Sequence, residues 1–399
     1  MTRNTLFSKM QHEEMELNSV IDLGGTIRKI TAKKTKAIID PLRKKFGITR
    51  IANIDGLDTL DIPVSIAIRP NARHLCGALG KGLTRELSYV SAVMEAIESY
   101  HMETPPLPEL TGSYQDLYKN YLLIDPEIFP KGSIARGNIK EISFGWNQAT
   151  NLVNHQINYI PHVLIKLNSS QLNSNAGLFS VTTNGLAAGN TLNEAILHGL
   201  YEVIERDSVS RFLAKKSFER NKTKIQLETI RSPVNKSLLE KFIDKKINIE
   251  IWKIPSITDF PAYYCRIYDP MSTSVFGYFY GSGCHMLEDI ALSRAITEAA
   301  QSRAAFISGS RDDIYPSVFD KQRAQQITFP HSGSQESING TIAFKNTSSS
   351  LYSNSFLKNI EIIVAALKIK GYEHVLVFDH TKPEFNVPVV QVFIPGLQS

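Results

Sequence analysis

Cysteine is scarce in this 399-residue sequence: Cys76, Cys265 and Cys284 lie far apart, with no CxxC pair and no histidine at metal-ligand spacing. That excludes a disulfide framework and a thiolate zinc site, and it fits a reducing cytoplasm. Long apolar runs are missing as well. The start, MTRNTLFSKMQHEEMEL, lacks the apolar core of a signal peptide, and nothing later approaches the ~18 apolar residues of a membrane span. Neither sign of charge dominates: 44 basic and 39 acidic residues leave +5, too little to argue for a nucleic-acid or membrane partner. No Walker motif, kinase set or Rossmann fingerprint is present. What remains is 42% hydrophobic and 21% charged, a soluble globular composition long enough for a sizeable core.

The most informative stretch is GLAAGNTLNEAILHGLYEVIERDSVSRF, from Gly185 to Phe212. After Asn190, Leu192, Ala195, Ile196, Leu200, Val203 and Ile204 recur at three- and four-residue steps, which predicts a helix with one face on a core. Glu194, Glu202 and Glu205 fall within an arc of roughly 80° on that helix, with Arg206 at its edge. Carboxylates on a solvated helix normally alternate with Lys or Arg. Three with one nearby cation repel one another unless a metal ion lies among them.

Two other segments repeat the arrangement. GALGKG (Gly77–Gly82) reads as a glycine loop that could lay backbone N–H groups and Lys81 against phosphates, although it lacks P-loop spacing. In the helix after it, Ser91, Glu95 and Glu98 fall at i, i+4 and i+7. A third unit, GSGCHMLEDIALSRAITEAAQSRAAF, carries Arg294, Glu298 and Gln301 at the same spacing. Three helices, each entered through a glycine-containing loop and each with a polar stripe, point to one shared polar cavity.

The rest of the chain reads as support. Residues 1–25 are expected to be a poorly ordered lead. AKKTKAIIDPLRKKF (residues 32–46) reads as a basic amphipathic helix whose lysines form a solvated face, and two strands joined at Asp55-Gly56 follow. Residues 102–140 are a proline-rich connector, 141–166 hold two strands, and 167–183 form a polar loop. NKSLLEKFIDKK is a surface helix; IEIWKIP, AYYCRIYD and VFGYFYGSGC are strands. Residues 308–355, rich in Ser, Asn and Gly, read as a lid or insertion. The helix FLKNIEIIVAALKIKGY, stopped at Gly371, and the strands HVLVFDH and VPVVQVFIPG close the chain.

Six carboxylates, Glu95, Glu98, Glu194, Glu202, Glu205 and Glu298, do not converge ionised without divalent cations, and oxygen-only ligands favour Mg²⁺ or Ca²⁺ over zinc. Mg²⁺ takes one or two carboxylates and completes its shell with substrate phosphates. A nucleoside triphosphate bound through more than one Mg²⁺ is therefore expected.

SAVMEAIESYH, SVTTNGLAAGNTLNEAILHGLYEVIERDS and YGSGCHMLEDIALSRAITEAAQSRAAF, with GITRIANIDGLDTLDIPV near the start and VPVVQVFIPGL at the end, resemble the YcaO family over about residues 25–397. The resemblance implies an α/β (α+β) fold of several mixed sheets with helices around a central ATP/Mg²⁺ cavity. It implies one composite unit over residues 26–397: a first part at 26–140, an ATP/Mg²⁺-binding part at 141–310 and a C-terminal part at 311–399. The implied chemistry is phosphorylation of a peptide amide oxygen by ATP, followed by attack of a Cys, Ser or Thr side chain to give an azoline, or of sulfide to give a thioamide. Glu95, Glu98, Glu194, Glu202 and Glu205 match the family's metal- and nucleotide-binding glutamates, and Ser91, Asn190 and Arg206 match positions that touch the nucleotide. Arg294, Glu298, Gln301 and Arg303 match the third motif, with Arg303 turned away from the stripe; Lys81 is a phosphate contact by loop chemistry alone. Arg206 and Glu205 are the expected catalytic pair.

The end of the chain, IPGLQS, lacks the proline-rich tail of many azoline-forming members, and the pattern is similar to members that work beside a TfuA partner in thioamidation. The expected partners are a peptide or protein substrate and a TfuA-like or peptide-recognition protein, without nucleic acid or membrane; a homodimer is an expectation from the family. Azoline formation and a catalytically silent scaffold remain as competing readings. An RNA- or DNA-binding module has only the basic segment at 32–50 and the pI in its favour.

Overall fold

The computed structural model describes residues 6–16, 20–133, 137–167, 177–270, 277–310, 340–345 and 351–398. The lid or insertion expected at 308–355 and the polar loop at 167–183 fall largely outside these ranges. In chain order the helices are α1 (Leu6–Glu16), α2 (Ala32–Ile39), α3 (Arg85–Glu103), α4 (Tyr114–Leu117), α5 (Leu192–Leu213), α6 (Ser217–Asn221), α7 (Pro233–Asp244), α8 (Glu288–Ser308) and α9 (Phe356–Ile369). The strands are β1 (Ile21–Asp22), β2 (Ile27–Arg28), β3 (Arg50–Asn53), β4 (Val64–Ile68), β5 (Gly77–Lys81), β6 (Leu110–Gly112), β7 (Phe144–Asn151) and β8 (Ile157–Pro161). They continue with β9 (Leu186–Ala188), β10 (Ile225–Gln226), β11 (Asn248–Lys253), β12 (Ala262–Tyr268), β13 (Tyr278–Cys284), β14 (Ile342–Ala343), β15 (Leu376–Asp379) and β16 (Val389–Phe393).

The architecture is mixed α/β, with several small sheets around helices. Two three-stranded antiparallel sheets, β3-β4-β5 and β11-β12-β13, have the same form, and each runs directly into a long helix, α3 or α8. A six-stranded sheet of order β6-β7-β15-β16-β9, with β8 on β7, brings β9 beside β16 and delivers the chain into α5. The short pair β10-β14 is parallel. No helix among the described residues is long and apolar enough to cross a membrane.

The GALGKG segment is a strand, β5, rather than a phosphate-cradling loop. Its glycines serve packing: a Cβ on Gly80 would lie 2.1 Å from the Ala92 nitrogen and 2.2 Å from the Ser88 oxygen, so only hydrogen lets α3 lie this close to the sheet. Gly283 does the same for α8, where a Cβ would meet the Ala291 oxygen at 2.1 Å. Held this way, α3 and α8 turn their polar stripes toward a common space. Thr84 caps α3 by accepting from the Leu87 N–H, and Thr191 caps α5 by accepting from the Glu194 N–H.

Two further expectations change. The N-terminal lead contains α1, which buries Leu6 and Met10 against α5; its Glu13 carboxylate accepts the Leu192 N–H at 2.8 Å and the Asn193 N–H at 3.0 Å. Those amides have no intrahelical partner, so α1 acts as a second cap of the central helix. The helix at 32–46 ends at Ile39, because Pro41 cannot continue it. The third difference concerns α5. Periodicity showed one apolar face, yet Asp207 and Ser208 are also fully buried, because α1, α9, β9, β13 and β16 surround it.

Candidate functional site

The polar stripes of α3, α5 and α8 line one cavity of about 720 Å³. From α3 come Ser91, Glu95 and Glu98; from α5 and its entry, Asn190, Glu194, Glu202, Glu205 and Arg206; from α8, Arg294, Glu298 and Gln301. Lys81 at the end of β5 also lines it.

Glu98, Glu194, Glu205 and Glu298 each accept from defined donors. Glu205 accepts the Ser282 hydroxyl at 2.7 Å on Oε1 and the Cys284 N–H at 3.0 Å on Oε2, which ties α5 to β13. Glu98 accepts the Ala188 N–H at 2.6 Å, tying α3 to β9. Glu194 accepts Asn190 Nδ2 at 2.9 Å and the Lys29 N–H at 3.0 Å, with Arg28 Nε at 3.6 Å. Lys81 donates to Glu298 at 2.6 Å, bridging β5 and α8. Arg206 lies 3.5 Å from Glu202 with its side chain 57% exposed, at the open side of the cavity.

The charge distribution is uneven. Burial, together with Glu95 and Glu202, pushes Glu98 well above the usual carboxylate range despite the Ala188 N–H. Burial, Glu205 and Glu298 raise Glu202 to about 7, against the pull of Arg206. Glu205 is raised by burial and by Glu298. Glu298 is the reverse case: burial pushes it up, but Lys81, Arg206 and Arg294 outweigh that and hold it below its ordinary value. His198 stays neutral because burial and the neighbouring Arg294 and Arg28 lower its pKa. Glu98, Glu202 and Glu205 are thus left under-compensated, whereas Glu298 is held ionised by Lys81, Arg206 and Arg294.

Every residue singled out from the sequence is in this cavity except Arg303. Its Nε donates to Asp58 at 3.0 Å, its NH2 lies 3.7 Å from Asp269, and its ring contact is Phe279. It therefore joins α8 to the loop after β3 and does not reach a nucleotide. Arg28, Thr35 and His198 also line the cavity and were missed, as was Ser282, which holds Glu205 from behind. Thr35 donates to Asn190 Oδ1 at 2.7 Å, and Arg28 reaches the cavity from β2. Arg28 and Thr35 lie outside the three repeated units, whereas His198, four residues from both Glu194 and Glu202, sits on the α5 stripe and was read only as interrupting the alternation of acid and base.

A sequence model described as YcaO cyclodehydratase, ATP- and Mg²⁺-binding, matches residues 79–398. The chain belongs to the YcaO family. A Methanothermobacter thermautotrophicus protein is 32% identical to it over 371 residues, covering 91% of this chain and 92% of that one. A Rhizobium leguminosarum bv. trifolii protein described as lying in the tfuA 3' region is 29% identical over 387 residues, covering 93% and 88%. The YcaO structure from Methanopyrus kandleri, bound with AMPPCP and Mg²⁺, aligns over 95% of both chains with a TM-score of 0.72 at 22% identity. The family description makes ATP and Mg²⁺ the cofactors of this YcaO chain.

The residues present fit that pair. Carboxylates forced upward by burial and mutual repulsion are the groups that a divalent cation would restore to their charged form. Among the described residues no three His, Cys, Asp or Glu side chains are close enough to share one ion. Mg²⁺ held by one or two of these carboxylates, with phosphate oxygens completing its shell, is compatible with that spacing. Lys81, Arg206 and Arg294 supply the positive side that a triphosphate needs, and Arg294 Nε is buried with no hydrogen-bond partner among the described residues.

Proposed function

We propose that this YcaO chain activates a backbone amide of a ribosomally made peptide or protein for conversion to a thioamide with an external sulfur donor. The observation that carries the amide-activating part is the convergence of six glutamates from three helices on one cavity that Lys81, Arg206 and Arg294 also line. When bound, ATP supplies the phosphoryl group that makes the amide oxygen a leaving group, and Mg²⁺ neutralises its charge.

In this reading Glu95, Glu98, Glu194, Glu202 and Glu205 hold the metal ions. Ser282 and the Cys284 N–H fix Glu205, and the Ala188 N–H fixes Glu98, so these carboxylates cannot swing away to relieve their repulsion. Lys81, Arg206 and Arg294 take phosphate oxygens, and Arg206, whose side chain is exposed, stabilises charge at the open side. Glu298 orients Lys81. Ser91, Asn190 and Gln301 supply neutral hydrogen bonds to the nucleotide.

The thioamide branch is supported by similarity to the protein of the tfuA 3' region. A TfuA-like protein is then the partner that delivers substrate or sulfur. The family's description as cyclodehydratases favours a second reading, azoline formation on Cys, Ser or Thr. Co-expression with a TfuA-like protein and a candidate peptide, read by mass spectrometry, separates the two: exchange of oxygen for sulfur supports the thioamide, loss of one water the azoline. An unchanged peptide with no ATP consumed contradicts both.

A further inference from the structure

The two sheet–helix units, β3-β4-β5-α3 and β11-β12-β13-α8, can be set in register by their glycines. A Cβ on Gly80 would lie 2.1 Å from the Ala92 nitrogen, and one on Gly281 would lie 2.2 Å from the Ala299 nitrogen, so Ala92 in α3 and Ala299 in α8 hold equivalent places. The units stand side by side with like ends together. A Cβ on Gly25 would meet Leu83, just before α3, at 3.2 Å and Ser293, in the second turn of α8, at 3.3 Å. One on Gly77, at the start of β5, would lie 3.4 Å from the Ser310 oxygen, just past the end of α8.

This register lies about one turn beyond the one that the shared spacing of the two stripes suggests, and it brings out a difference between the copies. Three, six and seven residues past the matched alanines, α3 carries Glu95, Glu98 and Ser99, whereas α8 carries Ser302, Ala305 and Phe306; all of these line the cavity. The α8 set offers little polarity. Ser302 Oγ donates to the Tyr280 carbonyl at 2.9 Å, Ala305 is buried, and half-buried Phe306 lies against Phe279 with ring centroids 5.6 Å apart. Leu75, before β5, and Tyr278 and Phe279, at the start of β13, line the cavity as well.

The register decides what this apolar surface can serve. Glu95 and Glu98 hold metal in the reading above, and Ser302 and Ala305 stand level with them on the neighbouring unit. A second apolar group of the cavity, Leu23, Leu83 and Leu87, belongs to the entry of α3, and Leu87 is eight residues, ~12 Å of helix, from Glu95. A nucleotide whose terminal phosphates sit on the glutamates carries its base well away from them, which suits the Leu23–Leu83–Leu87 end. The apolar surface level with the glutamates is left for the acceptor of the phosphoryl group. We propose that Leu75, Tyr278, Phe279, Ala305 and Phe306 receive an apolar side chain next to the backbone amide that is activated, an assignment that rests on the amide-activating reading above. Such a side chain takes this surface out of water; a serine gains little there, and an aspartate adds charge to a cavity already crowded with carboxylates.

Capped tripeptides, N-acetyl-Gly-X-Gly-amide with X as Phe, Leu, Ser or Asp, are the probes, titrated by NMR into the full chain loaded with AMPPCP and Mg²⁺. The Phe and Leu peptides are expected to bind about 10-fold more tightly than the Asp peptide. Phe306→Ser is expected to lose that preference while its affinity for AMPPCP and Mg²⁺ stays at the wild-type value, which shows that it is folded. Leu75→Asp, at a half-buried position outside the helices, is expected to do the same, so the outcome does not hang on one variant. Equal binding of the four peptides, no binding in the millimolar range, or a preference that both variants keep overturns the proposal and leaves the amide-activating reading standing. Weaker AMPPCP binding by a folded variant would give the surface to the nucleobase and likewise overturns it. An unchanged peptide with no ATP consumed in the co-expression experiment above overturns the assignment together with the reading it rests on, whatever the tripeptides show.

Discussion

Glu202 gives a pH signature that no surface carboxylate would. Its pKa stands at about 7 because it is buried near Glu205 and Glu298, against the pull of Arg206 and, less strongly, Arg294. The displacement from 4.5 corresponds, at ~1.4 kcal/mol per pH unit, to on the order of 3 kcal/mol, trimmed by the partial exposure of the side chain. The sign follows from proton binding. The folded protein holds the Glu202 proton more tightly than the unfolded chain, so this contribution to stability is complete below pH 4.5 and is lost as pH rises through about 7. Metal and proton compete for the same oxygens. Nucleotide–Mg²⁺ affinity should fall up to ~10-fold for each pH unit below 7 through this group and level off above it. Calorimetric titration of AMPPCP with Mg²⁺ at pH 6, 7 and 8, in buffers of different ionisation enthalpy, measures both the affinity and the proton released. Glu202→Gln should bind more weakly at pH 8 and show a flatter pH dependence by about that factor. A variant whose pH dependence and proton release match the wild type refutes the reasoning.

Lys81→Met removes the cation that holds Glu298 ionised, and nucleotide affinity should fall ~10-fold or more, as measured by the same titration. Arg303→Ala breaks a buried ion pair with Asp58 and should cost about 3 kcal/mol in thermal or denaturant unfolding, while the folded variant keeps the wild-type affinity for AMPPCP. Weakened nucleotide binding by folded Arg303→Ala would restore that residue to the site. Gly80→Ala forces a Cβ into the backbone of α3 and should destabilise by on the order of 2 to 3 kcal/mol in denaturant unfolding. Glu13→Ala uncaps α5 and should cost about 1 kcal/mol in the same assay; no loss would show that α1 leaves the central helix unaffected.

The stripes Ser91/Glu95/Glu98 and Arg294/Glu298/Gln301 were legible because the i, i+4, i+7 spacing fixes a helix face whatever packs around it. Glu194, Glu202 and Glu205 were legible for the same reason. Arg303 followed its motif into the candidate set, although nine positions from Arg294, at about 100° per residue, put it on the opposite side of α8. The glycines of GALGKG misled because a strand packed against a helix and a phosphate loop require the same residue for the same reason, close backbone approach. Arg28 and Thr35 enter the cavity, and Ser282 reaches Glu205, only through tertiary contacts made by β2, α2 and β13, which leave no periodic trace. The burial of α5 beyond its apolar face depends on five elements distant in sequence, so its own pattern could show only one face.

Glu205→Gln tests the central site most cleanly. Glutamine can still accept the Cys284 N–H with its oxygen and donate from its nitrogen to Ser282, so the charge is removed and the fold is kept. Calorimetric titration of ATP with and without Mg²⁺, on the wild type and on this variant, should show metal-dependent binding that the variant loses. Binding of equal strength with and without Mg²⁺, or unchanged in Glu205→Gln, would contradict a glutamate-held metal–nucleotide site.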